Sequence, residues 1–151
     1  MKTLSKPSDN LGGMLRLWAV PPSCVVSLSG RTLQLTGLDD ITQIYLTAES
    51  ASADCLMKRS EAGLFYDIAV RGFSPRIREE AGLLFGDMAG HDFVVVLLDG
   101  NGQFLVAGTR DEPLHFSFSA KTGMSVSDRN GYDITFERNC TTPVVQISDP
   151  F

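Results

Sequence analysis

The segment FVVVLLDGNGQFLVA, residues Phe93 to Ala107, carries the clearest structural signal in the chain. Phe93 to Leu98 is a run of six apolar residues, rich in valine, which predicts a strand buried on both faces. Gln103 to Ala107 is apolar after its first residue and predicts the returning strand. Because the Asp, Asn and Gly residues between them tolerate the positive φ angles of tight turns, the segment predicts a β-hairpin.

The same Asp-Gly-Asn-Gly turn can be compared with a calcium-binding loop. An EF-hand loop needs oxygen ligands at positions 1, 3 and 5, Gly at position 6 and Glu at position 12. If Asp99 is position 1, position 12 is Arg110; if Asp99 is position 3, position 12 is Gly108. Neither register supplies enough oxygen ligands. The sequence therefore predicts no calcium site here, and no other metal or cofactor is expected.

Outside this hairpin, alternation of apolar and polar residues predicts further short strands. They are Met14 to Val20, Cys24 to Leu28, Thr32 to Leu35, Ile41 to Thr47, Leu64 to Val70, Leu114 to Phe118, Tyr132 to Phe136 and Val144 to Ile147. Two polar segments, Glu49 to Glu61 and Ala120 to Gly131, are predicted to be loops.

One amphipathic helix is predicted at about residues 75–88. Ser74 is the expected N-cap, Pro75 suits the first helical position, and Gly90 is the expected stop. The apolar stripe of the helix consists of Ile77, Ala81, Leu84, Phe85 and Met88. Together these elements predict a mainly β (α+β) fold, an antiparallel β-sandwich or open barrel with the helix packed on one side.

The 151 residues are expected to form one domain. Residues 1–13 are polar and predict a flexible N-terminal arm, residues 14–148 the β-rich domain, and residues 149–151 a short tail. The net charge is −5 and the basic residues are scattered, which argues against nucleic acid or an anionic membrane as partner. No apolar run approaches the ~20 residues of a membrane span, so a cytoplasmic product is expected.

Cysteines and histidines give no pattern typical of a metal or redox site. Cys24, Cys55 and Cys140 are odd in number and far apart, so buried free thiols in a reducing compartment are expected. His91 and His115 belong to different predicted elements, and nothing in their spacing indicates zinc. His115 lies on the serine-bearing face of its strand, which predicts an exposed or hydrogen-bonded surface histidine.

No catalytic residues are predicted, and we expect the protein not to be an enzyme. Lys121-Thr122-Gly123 matches the K-T-G element of serine penicillin-recognising enzymes, but the S-x-x-K element that they also need is missing. The acidic pairs Asp39-Asp40 and Glu79-Glu80 are adjacent, so their side chains point in different directions. A nucleophile–base pair that assembles only in space leaves an enzyme of unrecognised type open.

The segment Leu97 to Glu137 resembles uncharacterised phage and prophage proteins of gut Bacteroidales. The likeness lies in the Gly-Asn-Gly hairpin, Gly108, the Glu112-Pro113-Leu114 step, the Thr122-Gly123 loop and the approach Asp128 to Tyr132. It covers about a third of the chain, within its C-terminal half, and includes no catalytic motif. Such proteins look like virion components of the tail or the head–tail junction.

The resemblance implies a non-enzymatic structural protein that is made in the bacterial cytoplasm and then built into the virion. It would act by self-assembly into a homo-oligomer and by contacts with neighbouring virion subunits. Residues 1–13, 49–61 and 120–131 are the hypothetical contact segments. The residues also leave open a stand-alone β-sandwich binding module for sugar or peptide, with Trp18, Tyr45 or Phe65 as exposed aromatics. No binding residue is assigned beyond these hypotheses.

Overall fold

The computed structural model describes residues 1–4, 14–47 and 49–151. Most of the predicted arm, residues 1–13, therefore lies outside the described residues. Residues 1–4 are exposed and belong to no helix or strand.

The described part of the chain is dominated by β-structure, with 52% of residues in strands and 12% in helices. The strands are β1 Met14–Val20, β2 Val25–Ser29, β3 Thr32–Leu35, β4 Thr42–Ile44, β5 Ser52–Ser60, β6 Gly63–Pro75, β7 Asp92–Asp99, β8 Phe104–Ala107, β9 Leu114–Lys121, β10 Gly131–Cys140 and β11 Val145–Ile147. The α-helix, α1, is Glu79–Met88, and two short 3-10 turns are Pro22–Cys24 and Leu38–Asp40.

Nine of the strands form one large antiparallel sheet with two halves that share β7. One half has the order β4-β1-β7-β8-β11, and the other has the order β7-β9-β10-β6-β5. The start of β7, at Asp92 and Phe93, pairs with β9, whereas the rest pairs with β1 and β8. Strands β2 and β3 form a separate hairpin. The predicted mainly β fold with one helix is confirmed, and the arrangement is consistent with a sandwich or open barrel.

Strand β7 is buried on both faces, as its run of apolar residues predicts. Successive side chains of a strand point to opposite faces. Phe93, Val95 and Leu97 lie in one core cluster, to which α1 contributes Phe85. Val94 and Val96 lie in a second cluster, which the β2–β3 hairpin covers with residues such as Leu33.

The turn between β7 and β8 has the hairpin geometry predicted from Asp-Gly-Asn-Gly. The Asp99 carboxylate accepts hydrogen bonds from the backbone N–H groups of Asn101 (2.9 Å) and Gln103 (2.8 Å). Gly102 has a φ of 78°, a conformation that glycine adopts without strain. The aspartate therefore stabilises the turn.

The predicted start of the helix is wrong. Strand β6 continues to Pro75, with Ser74 buried in the strand opposite Tyr132, and α1 begins only at Glu79. The pairing of β6 with β10 extends to Gly131, where a Cβ atom would clash with the Ser74 carbonyl oxygen. The ladder has ten residue pairs, and their pairing stabilises residues 74 and 75 as strand more than Ser74 and Pro75 favour the start of a helix. The apolar stripe itself is confirmed at Ala81, Phe85 and Met88, which are buried.

Several other predicted boundaries also differ from the structure. Cys24 lies in a 3-10 turn before β2, and β4 is three residues long instead of seven. Ala120 and Lys121 belong to β9 and Gly131 to β10, so the second predicted loop shrinks to residues 122–130.

The prediction of a loop at 49–61 is wrong, because residues 52–60 form β5. All nine residues of β5 are exposed. With neither face buried, the strand carries no alternation of apolar and polar residues, and alternation is the signal by which a half-buried strand is detected.

Candidate interaction surface

Strand β5 is an edge strand with an open outer edge. It pairs along its whole length with β6, from Ser52 opposite Arg71 to Ser60 opposite Gly63. On its other side, no strand of the described chain pairs with it. An unpaired edge presents a row of backbone donors and acceptors to which another chain can bind.

The register identifies the backbone groups that point outward. Ser60 and Gly63 flank a two-residue turn and form the first hydrogen-bonded pair of the hairpin. In an antiparallel ladder, hydrogen-bonded and non-hydrogen-bonded pairs alternate. The even-numbered residues of β5 therefore bond to β6, whereas Ala53, Cys55, Met57 and Arg59 direct their N–H and C=O groups outward.

The tip of the β5–β6 hairpin extends beyond the rest of the sheet. β10 pairs with β6 only from Tyr66 onward, so Gly63 to Phe65 and the opposing part of β5 have no neighbour on the β10 side. Leu56, Met57 and Leu64 are 58%, 55% and 50% exposed. The hairpin thus presents large apolar side chains together with an open edge.

Charged side chains lie on one face of this hairpin. Lys58 Nζ is 3.1 Å from the Asp67 carboxylate. Arg71 lies 4.0 Å from Asp54 and also 4.0 Å from Glu137. These pairs are exposed and contribute little to stability. The alternation of side chains along β5 places Asp54 and Lys58 on the same face as Leu56.

The loop 122–130 is a second candidate contact surface, and it is held by internal hydrogen bonds. The Asp128 carboxylate accepts hydrogen bonds from the backbone N–H groups of Met124 and Ser125, both at 2.9 Å. These two bonds hold the pKa of Asp128 below its usual value. Asn130 Oδ1 accepts a hydrogen bond from the Ile77 N–H at 2.8 Å, which ties the loop to the segment before α1.

This loop presents two apolar side chains to solvent. Met124 and Val126 are as exposed as in an extended chain. The loop connects β9 to β10 beside Pro75, whereas the β5–β6 turn lies at the other end of the β6–β10 ladder. The predicted contact segment 120–131 therefore lies at one end of this half of the sheet. Segment 49–61 runs along the edge, from Ser50, which accepts a hydrogen bond from the Phe73 N–H near that end, to the β5–β6 turn at the other end.

The three aromatic residues proposed for sugar or peptide binding have different environments. The Trp18 ring contacts Phe151, with centroids 4.8 Å apart, and Phe104 at 5.9 Å, and it packs against the second core cluster. Tyr45 is 72% exposed, and Phe65 is half-buried on β6. No ring pair among the described residues joins Trp18 to either of them.

A groove of about 810 Å³ lies between the first 3-10 turn and the end of α1. Asp40, Asp87 and His91 are among its lining residues. Nearby, His115 Nδ1 is 2.8 Å from Asp92 in an exposed pair, as expected for a hydrogen-bonded surface histidine. In the described ranges, no group of three or more His, Cys, Asp or Glu side chains could hold a metal ion.

The cysteines are all free, but they are not all buried. Cys24 and Cys140 lie in the core, whereas Cys55 is exposed on β5, so the prediction of three buried thiols is wrong at Cys55. Burial raises the pKa of the Cys140 thiol, and the nearby Glu112 carboxylate raises it further. Cys55 belongs to β5, the strand that the sequence pattern did not predict.

Among the described residues, no helix has the length and hydropathy needed to cross a membrane. Comparisons of the chain with protein-family models, with curated proteins and with solved structures find no match.

Proposed function

We propose that this protein is a non-enzymatic structural subunit of a phage or prophage particle, associated with the tail or the head–tail connector. It acts by binding copies of itself and neighbouring virion subunits. The observation that carries the proposal is the open edge of β5, which has nine exposed residues and no partner strand in the described chain.

Natural β-proteins protect edge strands, because an open edge pairs with other chains. Common protections are a short strand, charged side chains, a proline, a bulge or a covering loop. β5 is longer than the usual five or six residues, contains no proline and pairs with β6 without a bulge. Its charged residues are Asp54 and, near the turn, Lys58 and Arg59, which leaves Cys55 to Met57 uncharged. Such an edge suits a subunit that completes its sheet with another chain.

The phage assignment rests on the resemblance over Leu97 to Glu137. The loop 122–130 falls within that region and presents Met124 and Val126 on a backbone that Asp128 holds in place. A loop of this kind suits contact with a neighbouring subunit, because little conformational entropy remains to be lost on binding.

Self-association can be tested with a pair of substitutions at Met57. Because the Met57 N–H points away from β6, Met57→Pro removes an edge donor without removing a bond of the β5–β6 ladder. We expect the wild type and Met57→Ala to increase in mass with concentration in light scattering, and Met57→Pro to stay monomeric with an unchanged circular dichroism spectrum. A wild type that stays monomeric at millimolar concentration would contradict self-association.

Membership of a particle needs a separate experiment. Particles induced from a bacterium that carries the gene are purified on a density gradient, and their proteins are identified by mass spectrometry. We expect the protein in the particle fraction at a level similar to other structural subunits. Its recovery only from the soluble lysate would contradict a virion role.

A further inference from the structure

We infer that β5 pairs with β5 of a second copy of this chain, antiparallel, about a twofold axis at Leu56. This inference names the partner of the surface described above, and it rests on the proposed function as an assembly protein. The strand SADCLMKRS, Ser52 to Ser60, is complementary to itself in this register, in both its backbone groups and its side chains.

The backbone groups match across the axis. A twofold axis at Leu56 places Cys55 opposite Met57 of the second copy, and Ala53 opposite Arg59 of the second copy. All four residues direct their N–H and C=O groups outward, so each opposing pair can exchange two hydrogen bonds. Leu56 then faces its own copy in a non-hydrogen-bonded pair, in which side chains approach most closely.

The charges match in the same register. Asp54 lies opposite Lys58 of the second copy, and symmetry repeats this pair on the other side of the axis. An axis at Asp54 or at Lys58 places like charges opposite each other. An axis at Cys55 or at Met57 places one of these charges opposite Leu56. Among twofold axes at residues 54 to 58, only an axis at Leu56 places Asp54 opposite Lys58 of the second copy.

The free protein already holds these side chains in a suitable arrangement. Strand alternation places Asp54 and Lys58 on the Leu56 face, and in their ion pairs with Arg71 and Asp67 both charges stay accessible. On the other face, Met57 and Leu64 are exposed and would be partly covered by the second copy. The two β6–β5 hairpins would then form one continuous sheet across the dimer.

Reciprocal charge reversal tests the register. Asp54→Lys alone places the introduced lysine opposite Lys58, and Lys58→Asp alone places the introduced aspartate opposite Asp54, so each variant repels its own copy. We expect the dimer dissociation constant of each to rise by about tenfold or more. Mixing the two variants pairs unlike charges at both positions, and we expect a heterodimer with affinity near that of the wild type. Circular dichroism of each variant alone checks that it folds.

Crosslinking provides a second, independent readout. In a Cys55→Ser background, Leu56→Cys places two thiols across a non-hydrogen-bonded pair, with Cα atoms ~4.5 Å apart, within the range of a disulfide. Mild oxidation is expected to give a covalent dimer. The matched control is Met57→Cys in the same background. Its two thiols lie diagonally, with Cα atoms ~8 Å apart, too far for a disulfide, so a monomer is expected.

The outcomes separate this inference from the proposed function. Association that neither charge variant weakens, or a mixture that does not recover affinity, overturns the register while self-assembly stands. A wild type that stays monomeric at millimolar concentration overturns both. Recovery on mixing, together with crosslinking at residue 56 but not at 57, supports the twofold β5 pair.

Discussion

Gly131 and Gly86 occupy opposite steric environments, although both are glycines in regular elements. A Cβ atom on Gly131 would clash with the Ser74 carbonyl oxygen and crowd the Phe73 ring, whereas one on Gly86 would meet no atom within 4 Å. Gly131→Ala is expected to lower the free energy of unfolding by about 1–3 kcal/mol, because the β6–β10 pair must move apart. Gly86→Ala, in exposed helix, is expected to raise it by about 0.5–1 kcal/mol.

Urea denaturation of the two alanine variants beside the wild type checks this prediction. Both add one methyl group, so each serves as the control for the other. Effects of the same sign would show that the close approach of β6 and β10 at Gly131 does not limit packing there.

The three thiols are expected to differ in reactivity because their exposures differ. In dilute native protein, Cys55 should react with a thiol reagent in a fast phase, while the buried Cys24 and Cys140 react only as the fold opens. The raised pKa of Cys140 slows it further, since less thiolate is present at neutral pH. Cys55→Ser should remove the fast phase and leave the slow ones. Two or three fast thiols in the native wild type would contradict this order.

At the scale of elements, the loop 122–130 depends on the ionised form of Asp128. Its lowered pKa means that the folded loop favours the ionised carboxylate. The stabilisation that the Asp128 carboxylate gives the loop is therefore fully present above the ordinary pKa and is lost as the pH falls through the lower pKa of the folded state. The amide resonances of Met124 and Ser125 are expected to shift with an apparent pKa below 3.8, the ordinary value for the group. Asp128→Asn should abolish this titration. A titration at or above 3.8 in the wild type would contradict the bonds to Asp128.

Elements whose signals are local could be predicted from the sequence. The apolar run of β7, the Asp-Gly-Asn-Gly turn and the alternation of Tyr132, Ile134 and Phe136 each indicate structure within a few residues. The helix start could not be predicted, because the pairing of Ser74 with Tyr132 is a contact between distant parts of the chain.

The candidate surface was only partly predictable, for a related reason. Residues 49–61 and 120–131 are predicted contacts because they are polar, and polarity does not distinguish an exposed edge strand from a loop. β5 is ordered by its pairing with β6, and its own sequence buries nothing. The bonds that hold the loop 122–130 depend on the direction of the Asp128 side chain, which sequence spacing does not determine.

At the scale of the whole molecule, β7 lies between two core clusters and contributes side chains to both, as its neighbours β1 and β8 also do. Val95 belongs to the cluster under α1 and Val96 to the cluster under the β2–β3 hairpin, and both are fully buried. Loss of β7 from the sheet would expose both clusters at once. The described domain is therefore expected to unfold in one cooperative transition, in spite of its two clusters.

This coupling can be tested because each cluster has its own reporter. Trp18, the sole tryptophan, packs against the cluster of Val96, while Ile68 and Ile134 lie in the cluster of Val95. Tryptophan fluorescence and the methyl resonances of Ile68 and Ile134 should give the same urea midpoint. Val95→Ala and Val96→Ala should each cost about 2–3 kcal/mol and shift both reporters equally, because a cavity on either face of β7 weakens the strand that both clusters share. If Val95→Ala moved the isoleucine transition and left that of Trp18 in place, the clusters would be independent, and β7 would be a boundary between two folding units.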